Sequence, residues 1–133
     1  WNIQTGEELF TLSGHSDGVL AVGVTADGKR VISGSEDHTV KVWNLNTREE
    51  LFTLYGHTSL VRAVAVTADN QRAISVSEDH TVKVWNLETE EIIATFIGNY
   101  PFYSCAVSYD GLKIITGNFL GAMHFLKLEN VGE

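Results

Sequence analysis

The chain has 133 residues, 44% of them hydrophobic, and a formal net charge of −8, enough apolar material for one core under an acidic surface. Nine Lys and Arg against 17 Asp and Glu leave little basic surface, which argues against nucleic-acid or anionic-membrane partners. No run of about 18 apolar residues marks a membrane span and no basic-then-apolar leader marks secretion, so a cytoplasmic location is expected.

In chain order, Trp1-Asn2 is the first of three such pairs, followed by Trp43-Asn44 and Trp85-Asn86. The sequence therefore starts where a repeated unit should be ending, without an initiator Met, and a piece of something longer is expected. Glu7 to Leu12 then matches Glu49 to Leu54 and, more loosely, Glu91 to Phe96. Gly14-His15 matches Gly56-His57, Val19 to Thr25 matches Val61 to Thr67, and Ser35 to Leu45 returns letter for letter as Ser77 to Leu87. A period of about 42 residues governs the chain.

Each period holds short runs with strand chemistry, β-branched and aromatic, bounded by turn residues. In the first full unit they are Val19 to Thr25, Val31 to Ser35, Thr39 to Leu45 and Glu49 to Leu54. Asp27-Gly28, Asp69-Asn70 and Asp110-Gly111 carry hairpin-turn chemistry between the first two runs of each unit. The third unit has drifted: Gly98 opens it, Asn99 replaces the His, one residue is lost, and Cys105 to Gly111 realigns with Val64 to Asn70. Its later runs are Lys113 to Gly117 and Ala122 to Leu128, with Leu120 in the Asp place, Leu126 in the Trp place, and no fourth run.

A Gly-His opening, a turn Asp and a Trp ending a later strand, at this period, resemble the WD-repeat β-propeller family over essentially the whole chain. Asn44 and Asn86 follow the Trp where that family usually has Asp. The resemblance implies an all-β fold of blades, each with four antiparallel strands named a to d from the centre outward. Residues 1–13 are then strand d of a preceding or partner blade, 14–55 and 56–97 are WD repeats, 98–129 are a degenerate third repeat with strands a to c, and 130–133 are a tail. Rings typically have four to eight blades, so three are not closable by this chain alone. Two readings stay open. One is the C-terminal part of a longer propeller, favoured by the missing Met and the drifted last unit. The other is a homo-oligomer, most simply a dimer of six blades, with residues 7–12 of one copy completing the last blade of the other.

Two sets of Ser, His and Asp suggest nucleophilic acyl transfer, in which the His is the base and the Asp its orienter. They are His15, Ser33 and Asp37 beside Trp43, and His57, Ser75 and Asp79 beside Trp85. A hydrolase is nevertheless the weakest reading, because a structural device is needed once per blade and an active site is not. The resemblance implies buried tetrads in which the Trp N–H reaches the Ser, the Ser reaches the His, and the Asp holds the His. Thr116 survives in the third unit, but Asn99, Leu120 and Leu126 break the set, so that blade is expected to hold together by apolar packing. No catalytic residue, metal or cofactor is expected. Cys105 aligns with Val22 and Val64 as a core thiol, and His38, His80 and His124 share no short metal-ligand spacing.

What remains is surface. The resemblance implies a non-enzymatic scaffold whose protein or peptide partner docks on the loops joining strand d to a and strand b to c. Those loops carry Ser16, Asp17, Glu36 and His38, then Thr58, Ser59, Leu60, Glu78 and His80, then Tyr100, Phe102, Tyr103 and Phe119. Exposed aromatics beside acidic and His residues suit a binding hot spot, although Phe102 and Tyr103 could equally pack the degenerate blade. The wording of the repeats also resembles C-terminal propellers of bacterial proteins, some of which are sensor arms of signalling ATPases.

Overall fold

Runs of Val, Ile and Thr broken every few residues by Gly, Asp or Asn favour short strands and tight turns over helices. The computed structural model describes residues 11–111, 113–118 and 120–127, which form strands and no helix. The first sheet holds β1 (Val19–Val24), β2 (Arg30–Ser35), β3 (Val40–Asn44) and β4 (Glu50–Leu54), paired antiparallel in that order. The second repeats it with β5 (Val61–Val66), β6 (Arg72–Ser77), β7 (Thr81–Asn86) and β8 (Ile92–Ile97). The third has β9 (Phe102–Val107), β10 (Lys113–Asn118) and β11 (Met123–Lys127). Most of the strand expected at residues 7–12, all of Phe119, and the tail at 130–133 lie outside the described residues.

The turns show why these sequences fold into blades. In the β1–β2 turn the Asp27 carboxylate accepts hydrogen bonds from the Thr25 hydroxyl at 2.6 Å and the Lys29 amide at 3.0 Å. The left-handed position is filled by Gly28, Asn70 and Gly111 in the three sheets, residues that tolerate φ near +70°. In the β3–β4 turn Asn44 Oδ1 accepts from the amides of Asn46 and Thr47, and Asn86 does the same for Glu88 and Thr89. An amide oxygen serves here as well as a carboxylate.

Period-two alternation gives each sheet two apolar faces, and the sheets stack through them. Ile32, Val40, Val42 and Leu54 of the first meet Val61, Ala73, Trp85 and Leu87 of the second. Ile74, Val76, Val82 and Val84 of the second meet Phe102 and Ile114 of the third. Each fully buried Val, Ile or Leu contributes about 1.5–3 kcal/mol against leaving it in water. The innermost strands β1, β5 and β9 lie side by side, and among the described residues the three sheets do not close into a ring.

Candidate functional site

The first two blades each carry a four-residue staple from strand c to the loop before strand a. Trp43 Nε1–H donates to Ser33 Oγ at 2.9 Å, Ser33 Oγ lies 2.6 Å from His15 Nε2, and His15 Nδ1 lies 2.8 Å from Asp37 Oδ2. The second blade repeats it: Trp85 to Ser75 at 2.7 Å, Ser75 to His57 at 2.6 Å and His57 to Asp79 at 2.8 Å. Gly14 and Gly56 sit over the Trp rings; a Cβ on Gly14 would fall 2.8 Å from Trp43 Cη2. Burial opposes ionisation of Asp79, but hydrogen bonds from His57, Thr81 and the Thr58 amide outweigh it and hold the carboxyl well below its ordinary value. Asp37 is held down in the same way by Thr39, His15 and the Ser16 amide against its own burial.

The order Ser, His, Asp matches a hydrolase triad, but the hydroxyls do not face a substrate. Ser33 and Ser75 are 4% and 0% exposed, each beneath a Trp indole that already donates to it. Among the described residues, no cluster of His, Cys, Asp or Glu could hold a metal ion.

The third blade is fastened differently, and two expectations change. Phe102, counted with the binding surface, is buried: its ring lies under Gly98, whose added Cβ would meet it at 2.7 Å, much as the Trp rings lie under Gly14 and Gly56. The hydrophobic ring takes the place of the missing Trp, which is why it cannot remain at the surface. The blade is also not held by apolar packing alone. Asn118 Oδ1 accepts from the amides of Leu120 and Ala122, and its Nδ2 lies 3.2 Å from His124 Nε2. The His124 ring in turn packs edge-on against Phe102 at 5.7 Å between centroids. Thr116, in the Ser place, is 1% exposed and its hydroxyl has no hydrogen-bond partner among the described residues. Cys105 packs beside the second core cluster, and burial pushes its thiol up to about 12.

The loop face is a rigid rim. Glu36 N–H donates to Gly18 O at 2.8 Å and Glu78 N–H to Leu60 O at 3.0 Å, while Ser35 and Ser77 hydroxyls donate to the same two carbonyls. The b–c and d–a loops are thus locked together before any partner arrives. His38 and His80 hold φ of +74° at the same turn position, a conformation sparsely populated by non-Gly residues and fixed here by the surrounding bonds. Ser16, Asp17, His38, Thr58, Tyr100 and Tyr103 are exposed on this rim, whereas Ser59, Leu60, Glu36, Glu78 and His80 are half-buried. Arg62, which sequence reading passed over, ties the rim together. Its Nη2 lies 3.3 Å from Glu78 Oε2 and its guanidinium stacks 5.2 Å above the Tyr103 ring. The available signal was a broken repeat, since Leu20 and Tyr103 occupy the matching positions of the other units.

With this geometry in place, the WD domain, G-beta repeat profile matches residues 6–44 and 48–86, more than half of the chain. The chain belongs to the WD40 family. Each match ends at the Asn after the staple Trp, and the third blade lies beyond both. Over 37 residues, 28% of the chain, it is 40% identical to an uncharacterized WD repeat-containing protein of Schizosaccharomyces pombe. Over 42 residues, 32% of the chain, it is 50% identical to the vegetative incompatibility protein HET-E-1 of Podospora anserina. These stretches cover 9% and 3% of the two relatives, both fungal. WD40 repeat domains are in general non-enzymatic scaffolds for proteins or peptides, and the staples described here are the structural hardware of such a domain.

Proposed function

We propose that this WD40 segment binds a protein or peptide on the loop rim, centred on Arg62 and Tyr103. The observation that carries the reading is the arrangement of Arg62, at the start of β5, between Glu78 of a loop already locked by hydrogen bonds and Tyr103 at the start of β9. Arg and Tyr are the residue types that dominate binding energy at interfaces, and rigid loops lose little entropy on docking. The Arg62 side chain is 37% exposed, so part of its charged end is open to a partner's carbonyl or carboxylate. The flanking Asp17, Glu36 and Glu78 favour a peptide with basic residues beside that acceptor. A role as the sensor end of a larger bacterial signalling ATPase is a narrower form of the same proposal. Its support is the resemblance in repeat wording alone, since the two matched relatives are fungal.

A displayed peptide library selected on the chain tests the reading. Selected peptides should lose binding at least tenfold to Arg62→Ala and Tyr103→Ala, with thermal midpoints unchanged, and keep it to Tyr109→Ala in the opposite a–b turn. Binding that survives both rim substitutions would place the site elsewhere.

A further inference from the structure

Asp is followed by Gly at three places, Asp17-Gly18, Asp27-Gly28 and Asp110-Gly111. Gly has no side chain to shield its amide nitrogen, so at each pair that nitrogen can reach the preceding carboxyl wherever the backbone lets it. The fold treats the three pairs differently. In the two a–b turns the Gly amide is already committed: Gly28 N–H donates to Thr25 O at 2.8 Å and Gly111 N–H to Ser108 O at 2.9 Å. The carboxylates there are held by other donors, Asp27 by the Thr25 hydroxyl and the Lys29 amide, Asp110 by the Ser108 hydroxyl at 2.5 Å. The Asp27 amide is tied in addition to Asn70 Oδ1 of the second blade at 3.2 Å. The pair in the d–a loop of the first blade is arranged the other way. Gly18 N–H donates to Oδ1 of Asp17 itself at 2.8 Å, so the carboxyl carbon lies one bond beyond the atom that the nitrogen already touches.

We propose that Asp17-Gly18 is a site of spontaneous isoaspartate formation, and that the two a–b turns protect the other pairs from it. Gly18 N loses its proton and bonds to Asp17 Cγ, and one carboxyl oxygen leaves as water, closing a five-membered imide. Water then adds at the Asp17 main-chain carbonyl carbon and the bond from that carbon to Gly18 N breaks. The products are a free α-carboxylate on Asp17 and a main chain that runs through its Cβ and Cγ, with the mass of the protein unchanged. Holding the two reacting groups in contact lowers the barrier to the first step. At Asp27 and Asp110 the turn hydrogen bonds must open before the same contact can form, and the bonds that hold the Asp27 carboxyl below its ordinary value also keep it out of the protonated form that loses water most readily.

The site matters because Asp17 and Gly18 carry the lock between two loops. Gly18 O accepts from the Glu36 amide and the Ser35 hydroxyl, both at 2.8 Å, and Asp17 O lies 3.4 Å from that hydroxyl. Isomerisation adds one carbon to the main chain between these two acceptors and turns the first into a carboxylate, so the lock of the first blade loosens. The second blade has the same lock on Ser59 and Leu60, where no carboxyl is available to react. It is a built-in control.

The 133-residue chain is aged for weeks at physiological temperature and neutral pH, in buffer and, in parallel, unfolded in guanidinium. Isoaspartate is located by peptide mapping with electron-transfer fragmentation and counted by methyl transfer from S-adenosylmethionine with an isoaspartyl-specific methyltransferase. In buffer Asp17 should convert at least tenfold faster than Asp27 or Asp110, and in guanidinium the three rates should come together. Hydrogen exchange of the Glu36 amide should quicken as Asp17 converts, while that of Glu78 stays constant. Asp17→Ser, which installs the residue of the second blade, should keep Glu36 protected throughout, and Gly18→Ala should slow conversion, its Cβ meeting Glu36 Cδ at 3.4 Å in ordinary contact. Conversion of Asp17 in buffer no faster than at the two turns overturns the proposal. So does an excess at Asp17 that persists in guanidinium, because the fold would then not be its cause, and Glu36 exchange unaltered in the converted chain overturns the loosening of the lock.

Discussion

Truncating Asp79 measures what the staple contributes. Its carboxylate accepts from His57 Nδ1 at 2.8 Å, the Thr58 amide at 3.0 Å, the Thr81 amide at 2.9 Å and the Thr81 hydroxyl at 2.5 Å. Thr58 is exposed, so water can replace one partner, but the His57 side chain is 1% exposed and its Nδ1 would be left dry. One buried unsatisfied group costs roughly 1–3 kcal/mol, so Asp79→Ala should lose about 2 kcal/mol. Urea unfolding followed by Trp fluorescence, at fixed protein concentration, reads this directly; with a slope of about 2 kcal/mol/M the midpoint falls by about 1 M. Ser75→Ala should also destabilise, because Trp85 Nε1–H loses its acceptor, and the double variant should lose less than the sum, as members of one network do. Coincident midpoints for wild type and Asp79→Ala would refute the argument.

Thr116→Val should have the opposite sign, raising stability by roughly 1–3 kcal/mol, since it removes a buried hydroxyl that has no partner among the described residues; an unchanged or lower urea midpoint would count against that. Phe102→Ala should cost about 3–5 kcal/mol as a core truncation, while Leu120→Asp should restore no staple, because Asn118 already caps that turn. Acid should weaken the fold through Asp37 and Asp79. Their folded carboxyls titrate below the ordinary value of 3.8, so their contribution is complete above that pH and lost as pH falls below it. Asp37→Asn with Asp79→Asn should flatten the decline of thermal midpoint as pH falls below about 4, where ordinary carboxyls titrate.

Much of the fold was written in the sequence because its signals are local. The 42-residue period, about one blade, returns the same turn Asp, the same Thr-Val-Lys-Val-Trp strand and the same Gly-His, and each acts on residues near it in the chain. The staples could be named only through the family resemblance, since His15 and Ser33 are 18 residues apart and nothing local joins them. The third blade shows where this reading stops. Phe102 looks like part of an exposed aromatic run until the sheet pairs it with Asn118 and brings Gly98 over its ring. Asn118 looks like an ordinary strand end until the turn folds back on its amide. Arg62 is a single break in a repeat, and only the approach of β9 to β5 sets Tyr103 beneath it. Period, turn chemistry and alternation determined the strands and their faces, because each follows from neighbours in sequence. Which faces meet and which polar groups are left unpaired were decided by the stacking of blades, where contacts join residues tens of positions apart.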